Sequence, residues 1–291
     1  MTDIETLVER AHKLLDRLEG LVPPEPATAD VNDGSAFRWR KTGWRGVLEQ
    51  IRQVSNIDTD DLLCIDAQKQ LIDQNTRQFI AGLPANNVLL WGPRGTGKSS
   101  VIKAIYNRYQ SAGLKIIEVE RTHLVDLPDV VNLLRDASGR FIIYCDDLSF
   151  SVNDDSYKAL KVILDGSISE TPENILIYAT SNRRHLLPET MQDNLDSGFQ
   201  NGELHMSEAV EEKISLSERF GLWLAFHPFT QDQYLEIVSH WLKRFGIPET
   251  GHNAIREPAL QWALEHGSRS GRCAWQFARH RAGQAGLGQD G

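Results

Sequence analysis

The sequence predicts a three-layer α/β/α domain with a parallel five-stranded sheet, a C-terminal α-helical lid and an N-terminal helical extension. Three observations support this class. Short apolar runs alternate with stretches of helical spacing through the middle of the chain, and these runs are apolar on both faces. Parallel strands covered by helices have this pattern. After His227-Pro228-Phe229 the strand pattern stops, and only helical spacing follows.

The predicted elements divide the chain into three parts. Apolar runs bounded by turn residues predict strands at 87–91, 114–119, 141–145, 174–179 and 222–226. Helical spacing predicts helices at 99–109, 231–245 and 257–281. We therefore expect an N-terminal helical extension and linker at 1–49, an α/β domain at 50–228 and a helical lid at 229–291.

Composition limits the possible functions. The formal net charge of −9 argues against a protein that grips nucleic acid over its whole surface, because such proteins present a basic field. The three cysteines are far apart, which indicates neither a disulfide framework nor a zinc site. An acidic N-terminus and the lack of an apolar run of about 20 residues predict a soluble, cytoplasmic protein that does not enter a membrane.

Two N-terminal segments have more than one interpretation. Apolar residues at positions 4, 7, 11, 14, 18 and 21 predict an amphipathic helix that ends before Pro23. Packing of this helix on its own core is the favoured interpretation, and a short coiled coil with another subunit is the alternative. Aromatic and cationic residues alternate over 37–45, as in proteins that bind single strands. Packing of Trp and Arg against a neighbouring surface fits that pattern equally well.

A phosphate-binding loop follows the first predicted strand. Its eight residues fit the Walker A pattern: Gly92-Pro93-Arg94-Gly95-Thr96-Gly97-Lys98-Ser99. The glycines allow backbone angles that turn successive N–H groups toward phosphates, and the next helix adds its positive N-terminal end. Lys98 is placed to neutralise the β- and γ-phosphates, and the Ser99 hydroxyl is placed to coordinate Mg²⁺. The sequence therefore predicts ATP binding by the loop from Gly92 to Ser99, with Ser100 as a further nucleotide-binding residue.

Two carboxylates follow the third predicted strand directly. Asp146 is placed to hold the Mg²⁺ shell through water, and Asp147 to orient or deprotonate the attacking water. Adjacent carboxylates after an apolar run are costly to bury without a cation, which favours a metal site over the alternative of a solvated strand end.

With these motifs the chain resembles an AAA+ ATPase over residues 50–281. In that family a polar sensor residue ends the strand after the acidic pair, and Asn182 stands at that place. The resemblance implies that Asn182 positions the water against the γ-phosphate. An arginine before the fifth strand reaches the neighbouring subunit's site in this family. The segment 217–221, similar to bacterial replication initiators, implies that Arg219 is this arginine finger.

The resemblance also implies two further nucleotide contacts. A lid arginine of the family contacts the γ-phosphate, and Arg272 suits this place, with Arg269 as the competitor. Ile65 stands where the family has a short motif near the adenine, so Ile65 is expected to line the base pocket.

More narrowly, the chain resembles an uncharacterised bacterial family of predicted AAA+ ATPases with a domain of unknown function. Three segments carry this resemblance: 84–91, 145–150 and 179–185. The narrower resemblance supplies no substrate. One departure from the wider family is that Asp147 stands where the commoner Walker B has Glu. Its carboxylate is one methylene shorter, which predicts slow turnover, although initiator-like relatives also use Asp-Asp.

The expected reaction is Mg²⁺-dependent hydrolysis of ATP to ADP and phosphate. An arginine acting in trans implies an oligomer, of about six subunits by the family resemblance. Remodelling of a protein partner is the favoured role, since the chain is acidic. The alternatives are an initiator- or loader-like ATPase in DNA replication or repair, favoured by the basic end of the lid, and a nucleotide-gated switch with little turnover. The long acidic stretch 191–212 is either plain surface or a partner-binding insertion.

Overall fold

The computed structural model describes residues 2–19, 28–42, 45–150, 154–166, 172–184, 186, 198–200, 203–205, 216–247 and 252–287. Strands in this part of the chain are β1 (Ala36–Thr42), β2 (Arg45–Gln50), β3 (Val88–Trp91), β4 (Leu114–Val119), β5 (Arg140–Cys145), β6 (Ile175–Ser181), β7 (Gly198–Gln200), β8 (Glu203–His205) and β9 (Leu222–Ala225). The strands β7 and β8 pair with each other, and the rest of the stretch 191–212 lies outside the described residues.

The main sheet has seven strands in the order β2-β1-β4-β5-β6-β3-β9. The five predicted strands (β3, β4, β5, β6 and β9) are neighbours in this sheet and run parallel, which confirms the predicted class. The chain passes from β3, which is next to the edge strand β9, across the sheet to β4, so the strand order reverses beside β3. In open α/β sheets the crevice at the carboxyl ends of strands on either side of such a reversal is the usual place for a ligand.

Helices cover both faces of the sheet. The helices in the described part of the chain are α1 (Thr2–Glu19), α2 (Asp66–Ile80), α3 (Lys98–Tyr109), α4 (Leu127–Leu134), α5 (Asp155–Asp165), α6 (Gln231–Arg244), α7 (His252–Glu265) and α8 (Gly271–Leu287). Successive residues of β5 belong to different cores, with Ile142 in the core shared with α3 and Ile143 in the core shared with α4. This alternation is the two-residue period of a strand buried on both faces. The result is the predicted three-layer arrangement.

The lid consists of α6, α7 and α8, and its core is continuous with that of the α2–α3 face. A capping box at Thr230 starts α6 directly after the last strand of the main sheet. The buried Asp61 carboxylate, in the segment before α2, lies 3.0 Å from His240 Nε2 and 3.4 Å from Arg244 Nε on α6. These contacts attach the lid to the segment that leads into the nucleotide site.

The two strands β1 and β2 were not predicted. They form a hairpin, and β1 pairs in parallel with β4 at the end of the sheet. Trp39 is 4% exposed, and its Nε1 donates to Asp126 Oδ2 at 3.3 Å. Cationic neighbours of Trp39 are paired with carboxylates: Arg38 Nη2 lies 2.7 Å from Glu118, and Lys41 Nζ lies 2.8 Å from Asp126. Over residues 36–42 the aromatic–cationic pattern therefore reflects packing and ion pairing, and Gly43 and Trp44 lie outside the described residues.

The apolar face of α1 is exposed. Ile4, Leu7 and Leu14 are 70%, 69% and 60% exposed. The favoured interpretation, in which this helix packs on its own core, therefore finds no support in these side chains. Contact with another subunit remains a hypothesis. None of the described helices is long and apolar enough to cross a membrane.

Candidate nucleotide-binding site

The phosphate-binding loop lies between β3 and α3, at the carboxyl edge of the sheet. Gly92, Gly95 and Gly97 have φ of 142°, 74° and 100°, a region that side chains rarely adopt. A Cβ at Gly92 would also stand 2.0 Å from the carbonyl oxygen of Phe226. Thr96 Oγ1 donates to the Pro93 carbonyl at 2.9 Å inside the loop. Glycine is therefore required at Gly92 by both conformation and close packing.

Lys98 lies inside the loop, at the first position of α3. Its ammonium donates to the carbonyls of Gly92 at 2.7 Å and Pro93 at 2.8 Å, and to Asn182 Oδ1 at 3.2 Å. The residue is only 6% exposed, and this burial lowers the pKa of Lys98 to about 8. The charges of Asp147 and Asp146 oppose that shift. A lysine ammonium donates from a flexible stem, so it can exchange these carbonyl acceptors for phosphate oxygens.

Asp146 and Ser99 meet beside the loop. Ser99 Oγ donates to Asp146 Oδ1 at 2.7 Å, and Thr180 Oγ1 donates to the same oxygen at 2.6 Å. Burial by itself disfavours the charged carboxylate, but the hydrogen bonds from Thr180 and Ser99 outweigh it, so the pKa of Asp146 is lowered. Asp146 is therefore held as a charged acceptor next to the first turn of α3, which also contains Ser100.

Asp147 turns away from its neighbour because its backbone is left-handed, with φ of 53°. The Asp147 N–H donates to Thr180 Oγ1 at 2.9 Å, which fixes this turn. Asn182 Nδ2 donates to Asp147 Oδ1, and Arg94 Nη2 lies 3.7 Å from Asp147 Oδ2. Non-glycine residues in this conformation are uncommon and cluster at functional sites. The turn therefore gives two consecutive carboxylates different partners, with Asp146 bonded to Ser99 and Thr180 and Asp147 to Asn182.

The residues beside the loop fit Mg²⁺. This ion prefers hard oxygen ligands, and commonly takes one or two carboxylates and the oxygens of substrate phosphates while keeping several waters. The Ser99 hydroxyl and the Asp146 carboxylate are such donors. The described residues contain no cluster of three or more His, Cys, Asp or Glu side chains that could hold a metal by themselves. The donor set therefore suits a metal that arrives with a nucleotide.

The lid contacts the loop at the start of α8. The Gly271 N–H donates to the Gly95 carbonyl at 2.9 Å. A Cβ built on Gly95 would lie 2.7 Å from Ser270 and 3.6 Å from the Cβ of Arg272. A cleft of about 670 Å³ separates the outer side of the loop from the lid, and Arg269 is one of its lining residues. Both lid arginines named from the sequence are thus near the loop, with Arg272 nearer to Gly95.

The remaining predicted residues lie at two different places. Ile65 is 5% exposed, and its Cδ1 lies 3.3 Å from the position of a Cβ on Gly97, so it borders the loop as expected for a base-pocket residue. Arg219 precedes β9 and forms an ion pair through its Nε with Asp165, the last residue of α5. The structure thus brings Lys98, Ser99 and the acidic pair together with Asn182, and it ties Arg219 to another element.

Sequence reasoning gave no role to two residues that organise the site. Thr180 bonds to both Asp146 and the Asp147 backbone, and Gly271 joins the lid to the loop. The pairing of Cys145 with Ala179 in the sheet puts Thr180 next to Asp146. That register could have identified Thr180, because neighbouring parallel strands end at the same edge.

Fold and loop together define the class of AAA+ P-loop ATPases. Within that class the chain belongs to the family described as "Protein of unknown function (DUF815)", whose model matches residues 32–285. No match was found among curated proteins.

Solved structures with a similar fold include the Thermotoga maritima RuvB Holliday junction branch migration motor, with a TM-score of 0.50 and 18% identity. This match covers 76% of the present chain and 63% of RuvB. The Aeropyrum pernix ORC1 protein in complex with DNA has a TM-score of 0.52 and 17% identity, covering 77% of this chain and 60% of ORC1. The FIGL-1 AAA domain in complex with ADP has a TM-score of 0.50 and 18% identity, covering 79% of this chain and 74% of the FIGL-1 chain. The chain thus spans about three fifths of the RuvB and ORC1 chains.

Proposed function

We propose that this protein binds ATP with Mg²⁺ and hydrolyses it to ADP and phosphate, and that hydrolysis remodels a protein partner. The observation that carries the proposal is the 2.7 Å contact between the Ser99 hydroxyl and the Asp146 carboxylate, beside a loop that holds the Lys98 ammonium. A hydroxyl, a carboxylate and a buried ammonium at one loop suit the metal and the phosphates of a nucleoside triphosphate.

Binding would use the loop and its lysine. Backbone N–H groups of the glycine-rich turn and the N-terminus of α3 receive the phosphates, and Lys98 moves from its carbonyl partners to phosphate oxygens. Ser99 and Asp146 would hold Mg²⁺, which would supply positive charge to the phosphates of the bound nucleotide. Ile65 and Arg272 border the loop on either side, which supports contacts with the base and the γ-phosphate respectively.

Hydrolysis would depend on the contact between Asn182 and Asp147. Asn182 donates to Asp147 and accepts from Lys98, so it links the carboxylate that orients water to the cation that holds phosphate. Asp147 is exposed and can accept a proton from the attacking water. The proton leaves water as its oxygen bonds to the γ-phosphorus, and the bond from that phosphorus to the bridging oxygen of ADP breaks. Catalysis here is positioning and charge stabilisation.

A neighbouring subunit would complete the site with Arg219. Arg219 precedes β9 and is held by Asp165 on α5, so the finger would be presented on the surface before β9. An oligomer in which this surface faces the next subunit's phosphates gives Arg219 the role of a finger. The protein partner is inferred from the net charge of −9, which disfavours binding to nucleic acid through a broad basic field.

The test measures MgATP binding by calorimetry and phosphate release for the full chain and two variants. Arg219→Ala should bind MgATP normally and lose about 10³-fold in turnover, the range known for such fingers. Asp165→Asn is the matched control, because it breaks the same ion pair but leaves the arginine, and it should keep turnover. No MgATP binding by the unmodified chain would contradict the proposed function, and equal turnover in Arg219→Ala would contradict the trans role.

A basic surface on the lid favours a second candidate function, that of an initiator- or loader-like ATPase acting on DNA. Arg279 and Arg281 are exposed on α8, Arg279 lies 5.1 Å from the ring of Trp275, and residues 266–289 contain no acidic side chain. This function requires DNA binding that weakens as salt rises. The slope of the logarithm of the binding constant against the logarithm of salt concentration should fall by about one for each phosphate-contacting arginine replaced by alanine. Unchanged DNA binding in the Arg279→Ala, Arg281→Ala double variant would remove this candidate.

A third candidate is a nucleotide-gated switch with little turnover. The observation that favours it is the short Asp147 side chain, which is engaged by Asn182 and lies near Arg94. A switch would retain bound ATP over hours and release no phosphate at any protein concentration. The Asp147→Glu variant lengthens this side chain by one methylene. It should raise the rate of phosphate release if the distance from the carboxylate to the attacking water limits that rate, and it should leave the rate unchanged in a switch.

A further inference from the structure

An arginine in the turn after β6 lies against two tryptophan rings of the sheet. The Arg184 guanidinium is 5.6 Å from the ring centroid of Trp91 and 5.7 Å from that of Trp223. The two ring centroids are 6.2 Å apart, and the rings are tilted by 52°. A guanidinium within about 6 Å of an aromatic centroid is attracted to the ring, most strongly when the ring is Trp. Arg184 is therefore held by two rings although the residue is exposed.

The two tryptophans belong to strands that are connected to the candidate site. Trp91 is the last residue of β3, directly before the phosphate-binding loop, and it pairs with Ser181 at the end of β6. Trp223 is on β9, the strand that follows Arg219 in the chain. The stack on Arg184 thus joins the turn after β6 to the strand before the phosphate-binding loop and to the strand after the proposed finger.

The turn after β6 is also fixed at both of its ends. At its start, Ser181 Oγ donates to the Leu148 carbonyl at 2.8 Å. At its end, the Phe150 N–H donates to the Leu186 carbonyl at 2.9 Å. These bonds attach the two ends to the segment that follows the acidic pair. The contacts of Arg184 with the two rings act between these ends.

Asn182 lies in this turn, between the fixed ends. Its Nδ2 donates to Asp147 Oδ1, and its Oδ1 accepts from the Lys98 ammonium at 3.2 Å. The Asn side chain is short, so both contacts depend on where the turn holds the Asn182 backbone. Displacing a group that positions reactants by about 1 Å can reduce a rate about 100-fold. The contacts that hold this turn therefore bear on turnover.

We propose that Arg184 is a positioning residue for ATP hydrolysis, acting through Asn182. Its stack on the two tryptophans holds the turn after β6, so that the Asn182 amide stays between the Asp147 carboxylate and the Lys98 ammonium. The inference rests on the proposed function. In this role Arg184 does not touch the nucleotide, so it affects the rate of hydrolysis and not the affinity for ATP.

The test uses Arg184→Ala and Arg184→Lys in the full chain. Three quantities are measured: hydrogen–deuterium exchange of residues 181–184 without nucleotide, the Kd for MgATP, and kcat for phosphate release. In Arg184→Ala, exchange over 181–184 should become faster and kcat should fall about 10- to 100-fold, whereas the Kd should not change. Arg184→Lys keeps a cation that can lie over the rings, so its kcat should be higher than that of Arg184→Ala.

Arg140→Ala is the matched control. The Arg140 guanidinium lies 5.3 Å from the ring centroid of Phe79, so this change removes the same kind of contact. Arg140 is the first residue of β5, at the edge of the sheet opposite to the site. This variant should keep the kcat of the unmodified chain and its exchange rate over 181–184.

Three results would overturn the role of Arg184. They are unchanged exchange over 181–184 in Arg184→Ala, unchanged kcat despite faster exchange, and an equal loss of kcat in Arg140→Ala. A loss of MgATP affinity in place of a loss of kcat would also overturn it, because Arg184 would then act on binding. Failure of the proposed function is read separately, on the unmodified chain. If that chain releases no phosphate, the proposed hydrolysis fails, and this inference fails with it.

Discussion

On the core side of the candidate nucleotide site, side chains from the loop and from the ends of β5 and β6 are joined by short hydrogen bonds. Thr180 Oγ1 to Asp146 is 2.6 Å, and Ser99 Oγ to the same carboxylate is 2.7 Å. The lid meets this loop through the Gly271 to Gly95 backbone hydrogen bond and close packing, beside a cleft of about 670 Å³. The core side is therefore preorganised by side-chain hydrogen bonds, whereas the lid meets the loop through a backbone hydrogen bond and packing.

The largest expected effect lies on the core side. Lys98→Ala should weaken ATP binding by more than about 100-fold, because a charge-assisted hydrogen bond contributes roughly 1.5–3 kcal/mol and the ammonium can donate more than one. Calorimetric titration of MgATP measures this loss. Arg108→Ala is the control on the same helix, since Arg108 pairs with Asp73 at the far end of α3, and it should bind normally. Normal MgATP binding by Lys98→Ala would show that the loop is not the phosphate site.

A smaller effect is expected from the lid arginine. Arg272→Ala should weaken MgATP binding or slow turnover by about tenfold, which corresponds to about 1.4 kcal/mol. Arg269→Ala is the comparison, because Arg269 lines the cleft, whereas the Cβ of Arg272 is among the atoms nearest to Gly95. Parallel titrations and phosphate-release assays of both variants decide between them. A larger loss in Arg269→Ala would assign the γ-phosphate contact to the competitor.

The buried ammonium predicts a pH dependence. The pKa of Lys98 is lowered from 10.5 to about 8, mainly by burial, so the folded chain binds fewer protons than the unfolded chain between these values. The contribution of Lys98 to the free energy of unfolding should therefore increase as pH rises through this window. The affinity for ATP should change in the opposite direction, because binding of phosphate requires the charged amine of Lys98. Affinity should fall several-fold from pH 8 to pH 9, and the Lys98→Arg variant should lose this dependence, which titrations across that range would reveal.

The smallest effect is expected where the lid joins the segment before α2. Asp61→Asn weakens the contacts of Asp61 with His240 and Arg244, so it should loosen the lid and weaken ATP binding about threefold. It should also cost ~1–3 kcal/mol of stability, because a buried hydrogen-bonded charge is replaced. Binding and denaturant titrations report the two effects separately. Mg²⁺ should tighten ATP binding as much in this variant as in the unmodified chain. A selective loss of that tightening would contradict the separate roles of the lid and the core side.

The sequence was sufficient for those features that depend on local pattern. The parallel strands followed from apolar runs, and the loop followed from glycine and lysine spacing, because both signals lie within a few consecutive residues. The hairpin of β1 and β2 was missed, since its buried Trp39 depends on Asp126, 87 residues away. Strand propensity depends on such tertiary contacts.

Details of the site also required the fold. The left-handed backbone of Asp147 is set by Thr180 on another strand, and no pattern around Asp147 indicates it. The partner of Arg219 is Asp165, 54 residues earlier in the chain. The roles of Asp147, Asn182, Arg219 and the nucleotide contacts remain predictions.

The most direct test of the central claim is the rate of phosphate release per protomer, measured with Mg²⁺ and ATP over a wide range of protein concentration. Our account predicts a rate that climbs with concentration, because Arg219 from one subunit completes the site of the next. A rate that stays near zero at every concentration, despite tight MgATP binding, would contradict hydrolysis between subunits and favour the switch.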